Sequence, residues 1–271
     1  MPELPEVETL ASQLSRALAG HEIKGIEIRN ASLLETPRNQ FEKILPERKI
    51  QFVRRRAKFL QIDLEGSWTL WFHLGMTGQL LLMESLPDPL PSHSHFILRF
   101  RSSGLVFRDI RRFGSIALTP TDENAFPRGV KNLGPEPWQF GSEAFTSLFK
   151  ARRASIKSLL LNQTLVSGLG NIYSDESLYR AGIRPVARAH RITRRRLGRL
   201  HEALCEVLEE AIRWGGSSID DYQHVDGTKG RFQEFHRVYG RGGEDCLTCG
   251  ERIRTVKLAG RTSSFCPQCQ K

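Results

Sequence analysis

The hydrophobic positions at the start of the chain recur with the spacing of an α-helix. Val7, Leu10, Leu14 and Leu18 follow one another at intervals of three and four residues, and Gly20 comes just beyond them. Apolar residues at this spacing form one face of a helix, and a glycine after the last of them is a typical stop signal. The pattern therefore predicts an amphipathic helix that ends before Gly20.

Beyond residue 59 the hydrophobic positions change to a period of two, which is the period of a β-strand. In the first such stretch Leu60, Ile62 and Leu64 alternate with Gln61 and Asp63. Strand-like stretches lie at 60–64, 68–74, 96–100 and 105–109. Short strands separated by Gly, Pro and Ser turns are typical of a β-sandwich or a β-barrel, and we expect one of these in the N-terminal half.

The character of the chain changes in the segment 133–137, where two prolines disfavour helix and indicate a linker. Helix candidates follow at 142–150, 153–162, 171–181 and 193–214, and Gly215 and Gly216 mark the end of the last one. No segment of 20–50 residues repeats along the chain, which excludes a solenoid. Strands in the first half and helices in the second predict an α+β chain of more than one domain.

The charge of the chain indicates the class of its partner. Lys and Arg number 40 against 30 Asp and Glu, which gives a formal net charge of +10 and a pI near 9.7. A pI above about 9 is typical of nucleic-acid-binding domains. An anionic membrane is the rival partner, but no basic amphipathic helix stands out and no apolar run approaches the ~20 residues of a membrane span. Because the first 25 residues also lack the features of a signal peptide, we expect a cytoplasmic protein.

Four of the five cysteines lie close to the C-terminus as two CxxC pairs. They are Cys246, Cys249, Cys266 and Cys269. Two such pairs, separated by enough residues for a β-hairpin, bring four thiolates to tetrahedral distance around one Zn²⁺ ion. The alternative is a redox or accidental cluster. A zinc ion with four protein ligands is structural, because no coordination position is left for water.

The first six residues, MPELPE, offer a second kind of chemistry. The initiator Met is normally removed before a small residue, and the chain would then begin with the secondary amine of Pro2. An N-terminal amine has a pKa near 8 and can form a Schiff base with an aldehydic sugar carbon, while Glu3 and Glu6 could move protons. Proline and acidic residues are also common in the first turn of a helix, and these residues alone fit that ordinary role.

Three further motifs each have a functional and an ordinary interpretation. Lys58 precedes the apolar positions of a strand at a period of two, so it either snorkels or is functional. In SGLGNIY, Asn171 either caps the next helix or helps its N-terminus bind phosphate. The motifs HLGMTG and DIRRFG contain Met76, Arg111 and Phe113, which either fill a gap in a base stack or lie in turns and the core.

Taken in order, six motifs resemble those of the bacterial formamidopyrimidine-DNA glycosylases, which remove oxidised purines from DNA. They are PELPE, RRAK, HLGMTG, DIRRFG, SGLGNIY and the four-cysteine finger, and they run from residue 2 to residue 270. The resemblance implies an N-terminal β-sandwich that carries the N-terminal helix, a helical domain with a helix–two-turns–helix, and a β-hairpin zinc finger, with DNA between the domains. The corresponding division is a domain 1–132, a linker 133–141, a helical domain 142–235 and a finger 236–271.

The same resemblance implies roles for the candidate catalytic residues. Pro2 is similar to the nucleophile that attacks the sugar C1′, and Glu3 to the acid that assists departure of the base or opening of the ring. Glu6 resembles the second acidic residue of the site. Lys58 is similar to the proton donor in β-elimination, and Arg261 to the residue that holds the lesion phosphate and acts in δ-elimination.

Other positions resemble the DNA contacts of the family. These are Met76, His93, Arg111, Phe113, Arg152 and Asn171. Asn171 is similar to the second phosphate anchor, and the residues of HLGMTG and DIRRFG to those that occupy the space of the flipped base. The stretch 217–230 matches the loop over that base. Ser263 stands where the family usually has Thr.

Two alternatives stay open. The endonuclease VIII branch uses the same amine chemistry on oxidised pyrimidines, although Leu4, Phe113 and the long 217–230 loop favour the purine branch. A catalytically silent zinc-finger protein that recognises damage would not require Pro2, Glu3 and Lys58 together. The expected partner is double-stranded DNA with oxidised bases or abasic sites, and the protein is expected to act as a monomer with one structural Zn²⁺.

Overall fold

The computed structural model describes residues 1–122, 125–219 and 222–271, and the backbone divides into two compact units. The first comprises Met1–Lys131 and Trp214–Arg231, and the second comprises Asn132–Arg213 and Phe232–Lys271. The segment after the last long helix thus belongs to the first unit, because Tyr222 and Val225 pack in its hydrophobic core. The predicted boundaries at residues 132, 141 and 235 stay predictions.

The first unit contains two antiparallel sheets and two α-helices in its described part. The helices are α1 (Leu4–Leu18) and α2 (Arg38–Ile44), and the strands are β1 (Gly25–Ile28), β2 (Ile50–Arg56), β3 (Phe59–Leu64), β4 (Trp68–His73), β5 (Gly78–Met83), β6 (Ser94–Arg99), β7 (Gly104–Asp109) and β8 (Ser115–Pro120). The order is β1-β6-β7-β5 in one sheet and β2-β3-β4-β8 in the other. The two sheets share a core, where Phe72 of one sheet contacts Phe96 and Phe107 of the other with ring centroids 5.9 and 5.7 Å apart. This arrangement confirms the predicted β-sandwich.

Helix α1 forms as the hydrophobic spacing predicts. Val7, Leu10, Leu14 and Leu18 are all at most 1% exposed, and they face the core of the sandwich. The helix begins three residues before Val7, and Gly20 follows it with a φ of +80°, a conformation that glycine adopts without strain. The N-terminal residues are therefore carried on a helix whose apolar face is fixed by the sandwich.

The strand pattern was right for β3, but its polar positions do not face water. Gln61 and Asp63 are 8% and 6% exposed, and Leu60 and Ile62 are fully buried, so side chains on both faces of β3 are covered. Asp63 accepts a hydrogen bond from Thr69 Oγ1 at 2.8 Å and pairs with Arg54 at 2.7 Å. Alternation thus indicated the strand, while the ion pair explains why its polar side can be buried.

The second unit is helical with one β-hairpin in its described part. Its α-helices are α3 (Ser142–Lys150), α4 (Ile156–Leu160), α5 (Asn171–Arg180) and α6 (Arg194–Arg213), and the hairpin consists of β9 (Arg254–Leu258) and β10 (Arg261–Phe265). Helix α4 is shorter than the predicted 153–162, because Ser155 caps its N-terminus by accepting from Ser158 N at 3.3 Å. Among the described residues, no helix combines the length and apolar content that crossing a membrane requires.

The predicted linker is held by hydrogen bonds within the second unit. Gly134 N donates to the carbonyl of Gln163 at 2.9 Å, and Ser167 N donates to the carbonyl of Pro135 at 3.0 Å. A Cβ on Gly134 would lie 2.6 Å from the carbonyl oxygen of Thr164, so the close approach requires glycine. The backbone of the linker is therefore ordered by the loop that precedes α5.

Candidate active site

A capping box fixes the first residues of the chain. Glu6 Oε2 accepts a hydrogen bond from Glu3 N at 2.8 Å, and the Glu3 side chain accepts one from the backbone of Glu6. The two residues are 2% and 1% exposed, and Pro2 is buried beside them. The helix-start role and a chemical role are thus compatible, because the capping box holds the backbone that carries Pro2.

Glu6 also binds the segment that returns to the first unit. Its Oε1 accepts a hydrogen bond from Ser217 N at 2.8 Å, and Tyr222 Oη donates to the carbonyl of Glu6 at 3.1 Å. Gly216 has a φ of +79°, and a Cβ there would lie 2.7 Å from Glu6 Oε1. Burial, and after it the charge of Glu6, raises the pKa of Tyr222 well above 10, which keeps the hydroxyl protonated as a donor. Glu6 therefore joins the start of α1 to Ser217 through its carboxylate and to Tyr222 through its backbone carbonyl.

Lys58 lies in the two-residue turn between β2 and β3, where Ala57 has a φ of +51°. It is 7% exposed, so it does not extend into solvent as an ordinary surface lysine does. His73 lies in the register position opposite Phe59, and the two rings are 4.7 Å apart. Burial lowers the pKa of His73 below its usual 6.5 and the nearby Lys58 ammonium lowers it further, so His73 is neutral at pH 7. His73 was not among the candidate residues predicted from the sequence, although it is the first residue of HLGMTG.

The turn after β7 exposes three candidate residues together. Asp109 is fully buried, and its carboxylate accepts hydrogen bonds from Thr77 Oγ1 at 2.5 Å and from Gly114 N at 2.8 Å. This holds the HLGMTG loop against the DIRRFG turn. Met76, Phe113 and Arg111 lie at the surface there, and the first two are 44% and 55% exposed. The guanidinium of Arg111 lies 4.6 Å from the centre of the Phe113 ring. The core interpretation of Met76 and Phe113 is therefore wrong.

His93 lies next to this turn. Its carbonyl accepts a hydrogen bond from Asp109 N at 3.1 Å, its backbone has a φ of +64°, and its side chain is exposed. Non-glycine residues seldom adopt such a φ, and they often do so at functional sites. The structure thus brings His93 to the turn that carries Arg111.

In the second unit, Asn171 is the first residue of α5, and it does not cap the helix as the sequence suggested. The N-cap position is Gly170, and the Asn171 amide instead donates from Nδ2 to the carbonyl of Thr262 at 2.7 Å. The backbone carbonyl of Asn171 accepts from Lys157 Nζ at 2.9 Å. An amide nitrogen carries two N–H groups, and one of those of Asn171 is thus directed at the hairpin.

The hairpin that carries Arg261 is attached to α5 by a buried carboxylate. Asp175, 1% exposed, accepts hydrogen bonds from the hydroxyl of Ser263 and, at 3.0 Å, from Ser264 N. Lys157 completes the cluster with its Nζ 2.7 Å from Asp175 Oδ1. Arg261 is exposed at the start of β10, directly after the turn at residues 259 and 260. Arg261 and Asn171 are therefore held by one connected set of hydrogen bonds. Arg152 lies apart from this set, after the end of α3.

The four C-terminal cysteines converge. Their sulfur atoms all lie within 4.8 Å of one another, with Cys249 Sγ 3.5 Å from both Cys266 and Cys269. A tetrahedral zinc ion at about 2.3 Å from each thiolate requires sulfurs about 3.8 Å apart, so the cluster fits that ion. One Zn²⁺ held by these cysteines would fix the ends of the hairpin that bears Arg261, with no position open for a reacting molecule.

The loop 217–230 lies in the first unit where it is described, and residues 220 and 221 lie outside the described part. Leu82 N donates to the carbonyl of Val225 at 2.8 Å, and Gly230 N donates to Ser218 Oγ at 2.9 Å. The loop is therefore anchored to β5 of the sandwich. It begins at Ser217, which donates a hydrogen bond to Glu6.

Comparison with known proteins identifies the class to which this fold and these sites belong. Residues 1–116 match the formamidopyrimidine-DNA glycosylase N-terminal domain, residues 133–223 match the H2TH domain of the same enzymes, and residues 243–271 match the zinc finger found in FPG and IleRS. The chain is 46% identical over 272 residues to the formamidopyrimidine-DNA glycosylase of Solibacter usitatus, with both chains covered completely. The chain belongs to the formamidopyrimidine-DNA glycosylase family.

Solved structures of the Lactococcus lactis protein are similar to the whole chain at 37% identity. A complex of a mutant of that protein with DNA containing Fapy-dG has a TM-score of 0.93 and covers 100% of both chains. A complex with DNA containing an abasic site has a TM-score of 0.92 and covers 99% of both. A complex of the wild-type protein with DNA containing an oxidised pyrimidine also has a TM-score of 0.92, with 100% of both chains covered.

Proposed function

We propose that this protein is a bifunctional DNA glycosylase and AP lyase that excises oxidised purines, 8-oxoguanine and formamidopyrimidines, from duplex DNA. The observation that carries the proposal is the buried capping box that places two carboxylates beside Pro2. A protein that only bound DNA would not require an amine with two acids next to it. Family membership and the relative's complexes with Fapy-dG and abasic-site DNA support the same substrate class.

The proposed chemistry begins with the secondary amine that Pro2 bears after removal of Met1. Its nitrogen forms a bond to C1′, the bond from C1′ to the base breaks, and the base leaves with the bonding electrons and takes up a proton. Opening of the sugar ring and loss of the amine proton leave an iminium ion. Glu3 donates the proton to the leaving base or to the ring oxygen, and Glu6 holds Glu3 and Ser217 in place.

The iminium acidifies the C2′ protons, and loss of one of them to solvent or to a nearby base breaks the bond from C3′ to the 3′ phosphate oxygen. The double bond that forms between C2′ and C3′ is conjugated with the iminium and acidifies the C4′ proton, whose loss then breaks the bond from C5′ to the 5′ phosphate oxygen. Lys58 is proposed as the proton donor of the first step and Arg261 as the residue that acts in the second. Asn171 and Arg261 are proposed to anchor the phosphate, since an amide and a guanidinium suit an anion, and one set of hydrogen bonds connects the helix and the hairpin that carry them.

The exposed cluster on the turn after β7 is proposed to replace the flipped base. Extrusion of a base costs a few kcal/mol, and side chains that fill the gap offset part of it. Met76 and Phe113 are apolar and exposed, and Arg111 lies over the Phe113 ring, which suits a base-sized space. His93 beside this turn, and Arg152 in the second unit, are proposed as contacts to DNA.

An oxidised pyrimidine is the second candidate substrate. The observation in its favour is the complex of the Lactococcus lactis protein with DNA that contains one. The chain is further proposed to act in the bacterial cytoplasm as a monomer, with the division 1–132, 133–141, 142–235 and 236–271.

Borohydride trapping tests the function most directly. Borohydride reduces an iminium to a stable amine, so the protein should become covalently attached to duplexes that contain 8-oxoguanine or an abasic site. Mass spectrometry of the N-terminus is the control that checks whether Met1 has been removed. A protein whose N-terminus is blocked should not be trapped; attachment of the blocked protein would exclude Pro2 and point to Lys58 as the nucleophile.

A further inference from the structure

The positive charge of the chain is concentrated in one stretch of the second unit. Residues 144–201 contain twelve Lys and Arg but only two acidic residues, Asp175 and Glu176, both of which are buried. The resulting +10 equals the formal net charge of the whole chain. The residues proposed above to bind phosphate contribute none of this charge, because Asn171 is neutral and Arg261 lies outside the stretch. Most of the basic residues are therefore unexplained by the proposed active site.

Backbone pairing gathers part of this charge into one surface. Residues 187–192 run beside the segment between α3 and α4: Ser155 forms a β-bridge with Arg188, and His190 N donates to the carbonyl of Arg152 at 2.9 Å. Arg194, at the start of α6, approaches Ser147 of α3 with 3.4 Å between Nη1 and Oγ. We call this the arginine surface; its members are Arg153, Arg188, Arg191, Arg194, Arg195 and Arg199.

Members of the arginine surface are exposed and lack acidic partners. Within the described part of the chain, none of the six has a carboxylate oxygen within 4.0 Å. Two nearby arginines are less available, because backbone carbonyls at 2.6–2.8 Å hold their guanidinium groups: Arg184 donates to Pro267 and Gln270, and Arg196 donates to Gly182 and Lys271. The corresponding contact of Arg188, to the carbonyl of Arg153, is longer at 3.4 Å. The six members are thus the part of the stretch that is available to an external anion.

The placement of charge along α6 is opposite to what helix stability favours. Arg194, Arg195 and Arg196 occupy the first turn, where the helix dipole disfavours cations. Arg195 and Arg199 are a like-charged pair at i and i+4, which is also unfavourable. The acidic residues of α6 begin only at Glu202. Arginines at these positions do not stabilise the helix. Such a placement is expected where arginines bind a polyanion.

Helix α4 links the arginine surface to the proposed phosphate site. It has five residues; its cap Ser155 forms a β-bridge with Arg188, and its fully buried Lys157 donates to the carbonyl of Asn171 at 2.9 Å. The backbone that carries Arg153 and Arg188 is therefore joined to that of Asn171 through one short helix. Duplex DNA carries one charge per roughly 1.7 Å of its axis, so it presents phosphates all along its length.

We propose that the arginine surface binds the phosphates of double-stranded DNA outside the stretch held at the active site, and that it thereby increases affinity for long DNA without regard to sequence. This inference rests on the proposed function, because that function supplies DNA as the partner. Arginine suits the role, since its guanidinium makes bidentate contacts to phosphate and stays charged. The contact adds binding energy remote from the reacting sugar.

The test compares two quadruple variants of equal net charge. R188Q/R191Q/R195Q/R199Q removes four members of the surface, and K24Q/K43Q/K49Q/R101Q removes four exposed charges from the first unit. Binding to lesion-free duplexes of about 12 and about 36 base pairs is measured by fluorescence anisotropy across a salt series. Each lost phosphate contact should reduce the slope of log K against log salt by about 0.9.

We expect the arginine variant to lose roughly 2 to 4 units of slope and about tenfold or more in affinity on the long duplex, with the control variant close to the parent. Equal losses of slope and affinity in both variants would mean that net charge alone matters, which would overturn the proposal. An arginine variant that binds like the parent would overturn it too. The lysine variant R188K/R191K/R195K/R199K should recover most of the slope.

Two further measurements separate the possible failures. The double variants R188Q/R191Q and R195Q/R199Q should each show a smaller loss of slope. They keep the test decisive if the quadruple variant does not fold.

Excision by the parent on the short duplex tests the proposed function alone. If excision fails while the slopes behave as expected, only that function is wrong. Weaker binding of the arginine variant to phosphatidylserine vesicles, with unchanged DNA binding, would assign the surface to membranes and overturn the inference.

Discussion

Lys157 Nζ lies 2.7 Å from Asp175 Oδ1 where both side chains are almost fully buried. The same carboxylate accepts from the hydroxyl of Ser263 and the amide of Ser264. Because Lys157 also donates to the carbonyl of Asn171, this ion pair joins three segments of the second unit: α4, α5 and the hairpin. We infer that the pair positions Asn171 and Arg261 relative to each other.

Asp175→Asn should destabilise the protein and weaken its binding to DNA that contains an abasic site. The substitution leaves the Lys157 ammonium buried without a carboxylate, and breaking a buried pair costs about 3–5 kcal/mol. Thermal denaturation and anisotropy measure the two effects. Glu84→Gln, at an exposed position, is the control and should change neither.

The double variant K157M/D175N separates charge from structure. It removes the unpaired ammonium, so part of the stability lost in Asp175→Asn should return. If Asp175→Asn binds abasic DNA as tightly as the parent, the positioning role is wrong. A double variant no more stable than Asp175→Asn would show that the hairpin bonds, and not the ion pair, carry the effect.

Gly216→Ala should impair excision more than it impairs folding. A Cβ at this position would lie 2.7 Å from Glu6 Oε1, so Glu6 must move away from Ser217 and from the capping box. The positive φ adds about 1–3 kcal/mol of strain. Gly20→Ala is a matched control outside the 217–230 loop, because Gly20 has a φ of +80° and open space around its Cβ position.

Both alanine variants should lose similar stability in thermal denaturation, since both place a side chain at a positive φ. Only Gly216→Ala should slow single-turnover release of 8-oxoguanine. Equal rates for the two variants would mean that the Glu6 contact to the returning segment has no part in the reaction.

Helix α1 and the zinc site could be predicted from the sequence because their signals are local. The apolar spacing of α1 and the two CxxC pairs each lie within a short stretch of residues. The role of Asn171 could not be predicted in this way. Its side chain bonds to Thr262, which is 91 positions away, and no local pattern distinguishes that contact from a helix cap.

Other features that could not be predicted from the sequence have the same physical origin. The exposure of Met76 and Phe113 depends on Asp109, whose buried carboxylate holds two separate loops together. His73 becomes notable only because the strand register places it opposite Phe59, next to Lys58. These relationships arise from tertiary packing, which overrides the local preference of a turn or a strand.

The contribution of His236 should make the folded protein less stable as the pH decreases from 6.5 to 4. Burial lowers the pKa of His236 from 6.5 to about 4, so in this range the unfolded chain binds a proton that the folded chain does not. Stability rises with pH wherever the unfolded state binds more protons, and the two pKa values correspond to roughly 3 kcal/mol lost by pH 4. The direction of the His73 shift adds to this loss.

His236→Gln isolates this contribution from that of the carboxylates. Urea unfolding at several pH values should give a shallower pH dependence for the variant than for the parent between pH 6.5 and 4. Parallel curves would mean that His236 titrates normally in the folded protein.

Cys249→Ser should release the metal and abolish tight DNA binding. Four thiolates hold the ends of the hairpin, and the free energy of a structural zinc site is folding free energy for such a small element. Zinc content is measured by atomic absorption and binding by anisotropy. Cys205→Ser, outside the cluster, should keep both. A metal-free Cys249→Ser protein of unchanged affinity would show that the finger does not bind DNA.

Glu3→Gln should separate excision of the base from cleavage of an abasic site. The amide keeps the capping bond to the backbone of Glu6 but has no proton to give to the leaving base, and general acid catalysis contributes about 10²–10⁴-fold. Excision of 8-oxoguanine should therefore fall by about that factor. An abasic site has already lost its base, so borohydride should still trap the variant there.

The variant Pro2→Gly is the comparison, because it keeps a primary amine and should retain some cleavage of abasic DNA. Glu3→Gln that excises at the parent rate would remove Glu3 from the mechanism, and Glu3→Gln that is not trapped on abasic DNA would place Glu3 in formation of the iminium itself.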